Sequence, residues 1–543
     1  MSLQTVARLA VVPPALRGNP LRAPSSLVCK QRCYERPARR NALVVANLSN
    51  LPLGERARAL AKVKASSWKR WQKQVEEDPH PLLFRRQNMK PILASLLLLL
   101  CASVSGRAQA SPPRAAAPAA FPLRVSRNGR HLADAGGRPF LVIGDAAWSL
   151  IAQLRQESIA RYLEDRRRRG FNSILVNLIE HKFASKAPAN IDGVAPFLKP
   201  GDFAQPNPAY FDYAHQAVAA AGRRGFAVWL CPAYLGWGGG DEGFFKEVKA
   251  AGPAALRSYG RLVGQRFKDL PNIVWVLGGD YALPEAERWV ANELAQGLRE
   301  GGATQLMTAH GGQTSALDTF GDQPWLAVDT VYRYQPDLWR PLLAAYDRKP
   351  ARPFVLIETV YESEHDSKPE QIRRQAWWAM LCGACGQFFG NNPMWHFDGP
   401  TLFPHTNTWE QALDSTGARD VARLGKFLAP RPWEQLVPDT EGKLVTAGAG
   451  DGAARIIAAR APNGGLAVLY IPAGGTGPRD LTLNLTGFPG PVTAQWFNPA
   501  SDVSPHPPGM ALSNRGQPTL RTPGDNGTGA NDWLLVLESQ SRP

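Results

Sequence analysis

The stretch Asn272-Ile-Val-Trp-Val-Leu-Gly-Gly-Asp280 is a short apolar run that ends in two glycines and a carboxylate. Its apolar part, Ile273–Leu277, predicts a buried β-strand, because consecutive apolar residues leave no polar face for solvent. The segment that follows, Pro284–Glu300, has the spacing of an amphipathic helix. A buried strand that leads into such a helix is the repeating unit of an α/β fold.

The same unit recurs between about residue 121 and residue 437. Apolar runs occupy Phe140–Gly144, Ser173–Leu178, Phe226–Cys231, Ile273–Leu277, Leu306–His310, Val328–Tyr332, Phe354–Ile357 and Gly386–Phe389. Helix-like segments between them include Ser158–Arg169, Tyr210–Arg223, Pro253–Phe267, Pro284–Glu300 and Pro369–Leu381. Strands that alternate with helices in this number predict a (β/α)8 TIM barrel over residues 121–437, although a doubly wound parallel sheet gives similar local patterns. Asn128-Gly129 predicts a hairpin before the first barrel strand.

The pattern changes after Val437, where no helical spacing of apolar residues remains. Short apolar runs are separated there by clusters of Gly, Pro and Asn, which favour turns. The runs are Ile456–Ala459, Leu466–Ile471, Leu481–Leu485, Val492–Phe497 and Trp533–Leu537. We therefore expect a small all-β sandwich domain over residues 438–543, placed after the barrel as an accessory.

Residues 89–110 have the order of a secretory signal peptide. Met89-Lys90 is a basic start, Ile92–Val104 is apolar, and Ala108-Gln-Ala110 places small residues before a cleavage site. The pattern predicts cleavage after Ala110 and a secreted or periplasmic protein, with a buried helix or a membrane anchor as the alternative. Residues 1–88 are interpreted as a mis-assigned upstream stretch ahead of a true start at Met89, and residues 111–120 as a linker.

The positive charge of the chain is concentrated in this leader. Of its 62 Lys and Arg and 46 Asp and Glu, residues 1–110 hold 19 and 5, which leaves 43 against 41 in the remainder. The formal net charge of +16 therefore does not indicate a nucleic-acid partner for the folded part. We expect a polysaccharide or oligosaccharide substrate as the partner and no stable membrane span after signal cleavage. The oligomeric state stays open.

Cysteine usage and motifs point to chemistry without a metal or cofactor. Cys231 and the pair in Cys382-Gly-Ala-Cys385 are the cysteines after the leader, too few for a disulfide framework. The pair has redox or zinc spacing but no second Cys or His pair, so we assign it a structural role. The sequence has no H-E-x-x-H, no G-x-S-x-G elbow and no P-loop.

Barrel enzymes carry their catalytic groups at the carboxyl ends of the strands. Asp280 and Glu358 follow the fourth and seventh predicted strands. A pair of carboxyl groups across a barrel mouth is what glycoside hydrolysis requires: one protonates the leaving oxygen and the other attacks the sugar or stabilises its charge. The alternatives are a helix N-cap for Asp280 and a loop ion pair for Glu358. Glu362 and Asp329 are the competing carboxylates.

Residues near other strand ends are candidates for substrate binding. Aromatic rings there can stack on a sugar face, and polar groups can bind its hydroxyls. The aromatic candidates are Trp148, Trp237, Tyr332, Tyr361 and Trp395, accompanied by Tyr234 and Tyr334. The polar candidates are Asp145, Asn177, Glu180, His181, His310, Arg333, Glu362 and Asn391.

The stretch from about Phe121 to Val437 resembles the apiosidase-like family of barrel glycoside hydrolases. The matching pieces are Gly144-Asp-Ala-Ala-Trp148, Arg169-Gly-Phe-Asn172, Asn272–Asp280, Glu358-Thr-Val-Tyr-Glu362, Arg373-Arg-Gln-Ala-Trp377 and Gly386–Trp395. The tail resembles the collagen-binding-type β-sandwich often attached to that barrel, through Leu469-Tyr-Ile-Pro472, Trp496-Phe-Asn-Pro499 and Asp532-Trp-Leu-Leu-Val536.

The resemblance implies an endo-acting glycosidase that releases or cuts beside apiose in complex pectin. It also implies that Asp280 is the acid/base and Glu358 the nucleophile. The chain departs from the family pattern at Glu180-His181, at His310-Gly-Gly-Gln-Thr and at Phe388-Phe389, so its substrate loops differ.

Two hypotheses about function follow. The first is a secreted retaining glycoside hydrolase acting on a plant-type (pectic) polysaccharide or oligosaccharide. The second is a non-catalytic carbohydrate- or matrix-binding protein with a degenerate barrel. Because a degenerate barrel is expected to lose a catalytic carboxylate, the presence of both Asp280 and Glu358 favours the enzyme.

Overall fold

The structure is a computed structural model that describes residues 119–475, 477–502 and 509–539. The upstream stretch 1–88, the signal peptide 89–110 and all but the end of the linker 111–120 lie outside the described residues. Within the described ranges, no helix combines the length and the apolar character needed to cross a bilayer.

Eight parallel strands form the barrel, as the sequence predicts. Each strand pairs with the next along the chain except at the seam between the fifth and the sixth, and the first pairs with the last, so the doubly wound alternative is wrong. The strands are β4 (Val142–Ala146), β5 (Ser173–Asn177), β6 (Ala227–Cys231), β7 (Ile273–Gly278), β8 (Met307–His310), β9 (Asp329–Tyr332), β10 (Phe354–Glu358) and β11 (Gly386–Phe389). All of their residues are buried, which explains the unbroken apolar runs.

The seam between β8 and β9 is closed largely by threonine side chains. Thr308 Oγ1 donates to the carbonyl oxygen of Val328 at 2.6 Å, and Thr330 Oγ1 donates to that of Ala309 at 2.6 Å. These hydroxyls supply hydrogen bonds where the two strands do not share a regular backbone ladder. The barrel is therefore nearly closed.

Helices follow the barrel strands and cover the outside of the sheet. They are α1 (Leu150–Gln153), α2 (Gln156–Arg169), α3 (Pro208–Arg223), α4 (Phe245–Phe267), α5 (Trp289–Glu300), α6 (Ala316–Phe320), α7 (Trp339–Asp347), α8 (Pro369–Leu381), α9 (Trp409–Ala412) and α10 (Thr416–Leu428). The predicted helix start at Pro253 falls inside α4, directly after a kink at Gly252 with φ +78°. The predicted start at Pro284 is too early, because Glu285–Glu287 form a separate 3₁₀ turn before α5.

A small antiparallel sheet precedes the barrel. It consists of β1 (Arg124–Val125), β2 (Leu132–Ala133) and β3 (Pro139–Phe140). The turn between β1 and β2 contains Gly129 with φ +70°, and a side chain there would meet the backbone of Ala351. The hairpin predicted from Asn128-Gly129 is confirmed.

The C-terminal part contains two antiparallel sheets, so the all-β prediction is confirmed. A six-stranded sheet has the order β12 (Val437–Pro438), β14 (Ile457–Arg460), β15 (Leu466–Ile471), β20 (Trp533–Ser539), β17 (Val492–Phe497) and β18 (Met510–Leu512). The other contains β13 (Val445–Ala447), β16 (Asp480–Leu483) and β19 (Thr519–Arg521). Alternate residues of β15 serve two cores: Leu469 packs with Leu483 inside the sandwich, whereas Tyr470 joins the core shared with the barrel helices.

A buried ion cluster connects the barrel to the sandwich. Arg373 of α8 donates from Nε to Asp532 Oδ2 at 2.8 Å and from Nη2 to Oδ1 at 2.7 Å, and Nη1 donates to Asp420 of α10 at 3.0 Å. The Tyr470 hydroxyl also donates to Asp532 Oδ2, at 2.9 Å. The Trp377 ring lies parallel to the Tyr470 ring, with the centroids 6.3 Å apart. The Arg373 and Asp532 side chains are at most 1% exposed, so each depends on the other for its charge to be tolerated.

The cysteines of the described residues are buried and form no disulfide. The thiols of Cys382 and Cys385 point to different acceptors, the carbonyl oxygens of Trp339 and Phe354. Burial raises the pKa of Cys385 to about 12, so it holds its proton at neutral pH. The structural role assigned to the pair agrees with these contacts.

Asp532→Asn is expected to destabilise the whole folded unit, because it leaves the Arg373 charge buried with one carboxylate fewer. Loss of one partner of a buried ion pair costs about 3–5 kcal/mol in the free energy of unfolding. Denaturant unfolding followed by tryptophan fluorescence measures the change. Asp502→Asn is the matched control, since Asp502 is 66% exposed and its pair with Arg423 contributes at most about 1 kcal/mol. Equal, small losses in both variants would contradict the proposed role of the cluster.

Candidate active site

A cavity of about 380 Å³ opens at the carboxyl ends of the barrel strands. Its wall is mainly aromatic, with carboxyl and amide groups set among the rings. The aromatic lining residues are Trp148, Phe183, Tyr234, Trp237, Tyr332, Tyr334, Tyr361, Trp395 and Phe403. The others are Asn177, Glu242, Asp280, Gln313, Glu358, Glu364, His365 and Leu402.

Glu358 is the last residue of β10 and lies in the cavity wall with 7% of its surface exposed. Its Oε1 accepts a hydrogen bond from the Tyr334 hydroxyl at 2.9 Å, and its Oε2 lies 2.9 Å from His310 Nε2. The carboxylate is therefore held by groups that follow or end the neighbouring strands β8 and β9. Both partners restrict the rotation of the Glu358 side chain.

His310 ends β8 and is fully buried behind Glu358. Burial acts to lower its pKa, but the hydrogen bond and the charge of Glu358 outweigh burial and raise the pKa above its ordinary value. His310 thus tends to carry a proton and to donate it in the bond to Glu358. It acts on the carboxylate from behind rather than on a molecule in the cavity.

Asp280 comes two residues after β7, and two glycines make that position possible. Gly278 has φ +86°, and a Cβ there would lie 2.5 Å from the carbonyl oxygen of His310. A Cβ on Gly279 would lie 2.6 Å from the backbone nitrogen of Leu235. Only glycine fits at both places, so the Gly-Gly-Asp sequence is a packing requirement that brings Asp280 to the cavity.

The environment of Asp280 favours its protonated form. Burial and the nearby charge of Glu358 raise the pKa of Asp280 to about 7, against the opposing influence of His310. The Tyr332 hydroxyl also interacts with Asp280 and opposes this rise in pKa, although among the described residues it has no hydrogen-bond partner of standard geometry. The two carboxyl groups therefore differ: Glu358 has two donors, whereas Asp280 remains protonated up to near neutral pH.

Hydrogen bonds hold several rings of the wall in place. Trp148 Nε1 donates to the Tyr361 hydroxyl at 2.9 Å, and Trp395 Nε1 donates to Glu364 Oε1 at 2.8 Å. Trp237 differs from these, since 68% of its surface is exposed at the rim. The cavity thus combines anchored rings inside with a free ring at its entrance.

The structure brings many of the predicted site residues together and leaves others outside. Those that line the cavity are Asp280, Glu358, Trp148, Asn177, Tyr234, Trp237, Tyr332, Tyr334, Tyr361 and Trp395. Those outside its lining are Asp145, Glu180, His181, His310, Arg333, Glu362 and Asn391.

Glu180 organises the loop after β5 instead of facing the cavity. It is buried, and its Oε1 accepts hydrogen bonds from the backbone N–H groups of residues 181, 182 and 183. Its Oε2 accepts from Ser149 and from Asn177, and so orients the Asn177 amide that lines the cavity. His181 lies 2.9 Å from Glu247 of α4. Both are scaffold residues.

Asp145 and Arg333 also have partners elsewhere. Asp145 faces α2, where its Oδ2 accepts from the Tyr162 hydroxyl at 2.7 Å and lies 3.5 Å from Arg166 Nε. Arg333 binds Asp337 through two hydrogen bonds, of 2.8 and 3.0 Å. The positions of Asp145 and Arg333 therefore do not support the substrate contacts expected for them.

The competing carboxylates lie outside the cavity. Glu362 accepts from the Asn391 amide at 2.9 Å and from the backbone N–H of Gly417 at 2.8 Å, so it ties two loops together. Asp329, at the start of β9, accepts from the backbone N–H groups of Leu317 and Thr330. Neither is placed to meet a substrate with Asp280.

Sequence reasoning missed the residues that long loops carry into the cavity. They are Phe183, Glu242, Gln313, Glu364, His365, Leu402 and Phe403. Glu364 lies only six positions after Glu358, but Ser363 has φ +67°, and this turn brings Glu364 inward while Glu362 points away. A serine in the left-handed backbone conformation has no recognisable sequence signal. The sequence alone therefore gave no reason to place Glu364, rather than Glu362, in the cavity.

Comparisons with known proteins agree with this geometry. Residues 126–435 match the family model "Apiosidase-like, catalytic domain", and residues 437–538 match "Putative collagen-binding domain of a collagenase". No curated protein matches the chain.

Solved structures share the fold. A protein described as "Glycoside hydrolase" superposes with a TM-score of 0.67 at 24% identity, covering 78% of this chain and 98% of its own. A glycoside hydrolase family 5 protein from Bacteroides vulgatus superposes with a TM-score of 0.67 at 22% identity, covering 77% of this chain and 94% of its own. The chain belongs to the apiosidase-like family, and its barrel is a glycoside hydrolase catalytic domain.

Proposed function

We propose that the protein is a secreted, retaining glycoside hydrolase that acts on a plant-type (pectic) polysaccharide or oligosaccharide. In this proposal Glu358 is the nucleophile and Asp280 is the acid/base. One observation carries it: the two carboxyl groups line the same cavity, where Glu358 is held by two hydrogen-bonding partners and the pKa of Asp280 is raised to about 7.

Glu358 is suited to attack an anomeric carbon. The Tyr334 hydroxyl and His310 Nε2 each occupy one lone pair of its carboxylate and hold the group against rotation. Lone pairs on either oxygen remain for bond formation. Attack forms a glycosyl ester with Glu358 and breaks the bond to the leaving oxygen.

Asp280 is suited to move the proton in both steps. In the first step its carboxyl proton passes to the leaving oxygen as that bond breaks. In the second step the resulting carboxylate takes a proton from a water molecule, which attacks the anomeric carbon and frees Glu358. When Glu358 is esterified its charge is absent, so the pKa of Asp280 falls and the group becomes the base that this step needs.

The sugar class is supported by the aromatic wall and by the family. Trp148, Trp237 and Trp395 offer ring faces of the kind that stack on sugars. The pectic substrate rests on the family match alone. A screen of pectic and other plant oligosaccharides, with products identified by mass, tests it directly.

The alternative is a non-catalytic binding protein built on the same barrel. The specific arrangement of Glu358 with two donors disfavours it, since a sugar-binding wall needs no oriented nucleophile. Trapping with a 2-deoxy-2-fluoro glycoside distinguishes the two: an enzyme of the proposed type gains the mass of one glycosyl unit on the peptide that contains Glu358.

Replacing each carboxyl group is expected to give a different kinetic signature. Glu358→Gln should lower turnover by roughly three orders of magnitude or more on any leaving group, because no glycosyl ester forms. Asp280→Ala should slow unactivated substrates by about 10²–10⁴-fold but spare the first step on 4-nitrophenyl glycosides, which need no proton. Azide should restore turnover of Asp280→Ala, because it attacks the glycosyl-enzyme without a base.

Asp241→Asn serves as the control for that series. Asp241 is an exposed carboxylate beside the cavity, 78% of its side chain is accessible, and it is not among the lining residues. Near-normal turnover of both Glu358→Gln and Asp280→Ala on a substrate of the parent would refute the assignment. Glu242 and Glu364 would then be the carboxylates to replace next.

The pH profile should report the proton on Asp280. Because the acid acts only while protonated, kcat/KM on an unactivated substrate is expected to fall as pH rises through about 7. Asp280→Asn should abolish this alkaline limb, whereas Asp241→Asn should keep it. An alkaline limb that survives in Asp280→Asn would assign the acid to another group.

Export is part of the proposal and rests on the pattern of residues 89–110. N-terminal sequencing of the native protein is expected to begin at Ser111. Recovery of a peptide from residues 1–88 in the mature product would contradict both the cleavage site and the start at Met89.

A further inference from the structure

The cavity has an unusual balance of charged groups. Its lining includes the carboxyl groups of Glu242, Asp280, Glu358 and Glu364 but, among the described residues, no arginine or lysine. His365 is the basic group of the lining, and it is exposed to solvent. A molecule that enters meets carboxyl groups on several sides, and His310, which pairs with Glu358, lies behind the lining rather than in it.

Glu364 is the carboxyl group that the proposed mechanism does not use. It is 4% exposed, and its Oε1 accepts from Trp395 Nε1 at 2.8 Å. Among the described residues it forms no ion pair, so no positive charge compensates a negative charge there. Burial, and then the charge of Glu358, raise the pKa of Glu364 to about 8, against the opposing bond from Trp395.

The titratable groups around Glu364 come from several elements. Tyr361 and His365 belong to its own loop, Glu358 to the end of β10, and Tyr334 to the loop after β9. Asp280 and Glu242 share the cavity from the side of β7 and α4. None of them places a permanent positive charge beside Glu364, and the charge of Glu358 favours the neutral form of Glu364.

We propose that the cavity accepts an uncharged glycosyl unit and rejects uronic acids, and that Glu364 is a specificity-determining residue that donates a hydrogen bond from its protonated carboxyl group to a sugar hydroxyl. The inference rests on the proposed function of this site and narrows its substrate class.

The physical reason for this preference is the negative charge on Glu358, which the proposed mechanism requires. Glu358 must be ionised to attack, so a second carboxylate on the bound sugar would sit near a like charge in a cavity shielded from water. A neutral sugar avoids this repulsion, and its hydroxyls can donate to Glu358 and accept from Glu364. In an acidic polysaccharide the enzyme therefore binds neutral sugar units in the cavity, while uronate-rich stretches stay outside it.

Matched ligand pairs test the charge preference. Phenyl 1-thio-β-galactoside and phenyl 1-thio-β-glucoside, which resist hydrolysis, are compared with their uronide counterparts at about pH 6, where Glu364 holds its proton. Quenching of Trp148, Trp237 and Trp395 fluorescence reports binding in the cavity. The neutral member of each pair is expected to bind at least about tenfold more tightly. Equal or tighter binding of the uronides would overturn the proposal.

The pH dependence of binding tests the role of Glu364. The measurement uses the Asp280→Asn background, so that the proton of Asp280 does not contribute. Between about pH 7 and pH 9 the neutral thioglycosides should lose affinity by roughly tenfold as Glu364 ionises. Glu364→Gln keeps an N–H donor at every pH, so its affinity should stay constant over that range. An unchanged loss in Glu364→Gln would exclude Glu364 as its source.

Asp366→Asn is the control in the same loop. Asp366 is exposed, lies outside the cavity lining and has φ +52°, a conformation that asparagine tolerates well. The variant should show the same loss of affinity with pH as the background. A flat profile in Asp366→Asn would assign the effect to the loop as a whole and overturn the role of Glu364.

The outcomes separate this inference from the proposed function. Undiminished turnover in Glu358→Gln would refute the mechanism but leave the binding preference readable. Indifference to the uronide charge in a protein that Glu358→Gln inactivates would refute the preference alone.

Discussion

Two carboxyl groups buried in one cavity cannot both be charged at low cost, and much of this site follows from that constraint. The protein resolves it by unequal support: Glu358 receives the Tyr334 hydroxyl and His310, whereas Asp280 receives burial and the repulsion of Glu358. His310 ends β8 and Tyr334 follows β9, so the barrel itself decides which carboxyl group receives these hydrogen bonds. Because the pKa of Asp280 depends on the charge of Glu358, the two carboxyl groups form one electrostatic unit rather than two independent residues.

The frame around this unit is built from groups that do not line the cavity. Gly278 and Gly279 allow the chain to pass against the backbone of His310 and Leu235, and so deliver Asp280. Glu180 gathers three consecutive backbone N–H groups and the Asn177 amide. Both oxygens of the Glu180 carboxylate are thus occupied by hydrogen bonds that fix the loop after β5. The positions of Asp280 and Asn177 in the cavity wall therefore depend on residues that do not line the cavity themselves.

The sequence was sufficient for the fold and for the placement of Asp280 and Glu358 at the barrel mouth, because both depend on local regularities. Buried parallel strands are apolar throughout, and side chains directly beyond them reach the barrel mouth. The approach failed at Asp145, which lies inside β4 and points to α2, since successive strand residues alternate in direction. It also failed at Glu242 and Glu364, which long loops carry inward. Their positions depend on backbone turns such as that at Ser363, and side-chain type alone does not specify such turns.

The Arg373 cluster bears on how this architecture can be recombined. A catalytic barrel with an appended sandwich has the outline of a modular protein, whose parts are exchanged at a linker. Here Arg373 belongs to the barrel, whereas its carboxylate partners come from both domains. Asp420 lies in α10 of the barrel, and Asp532 precedes β20 of the sandwich. A chimaera that joins this barrel to a foreign sandwich lacking an aspartate at the matching place would inherit an under-neutralised arginine in its interior. The barrel and the sandwich are therefore expected to be inherited together. Exchange of the sandwich at residue 437 would lower the stability of the protein.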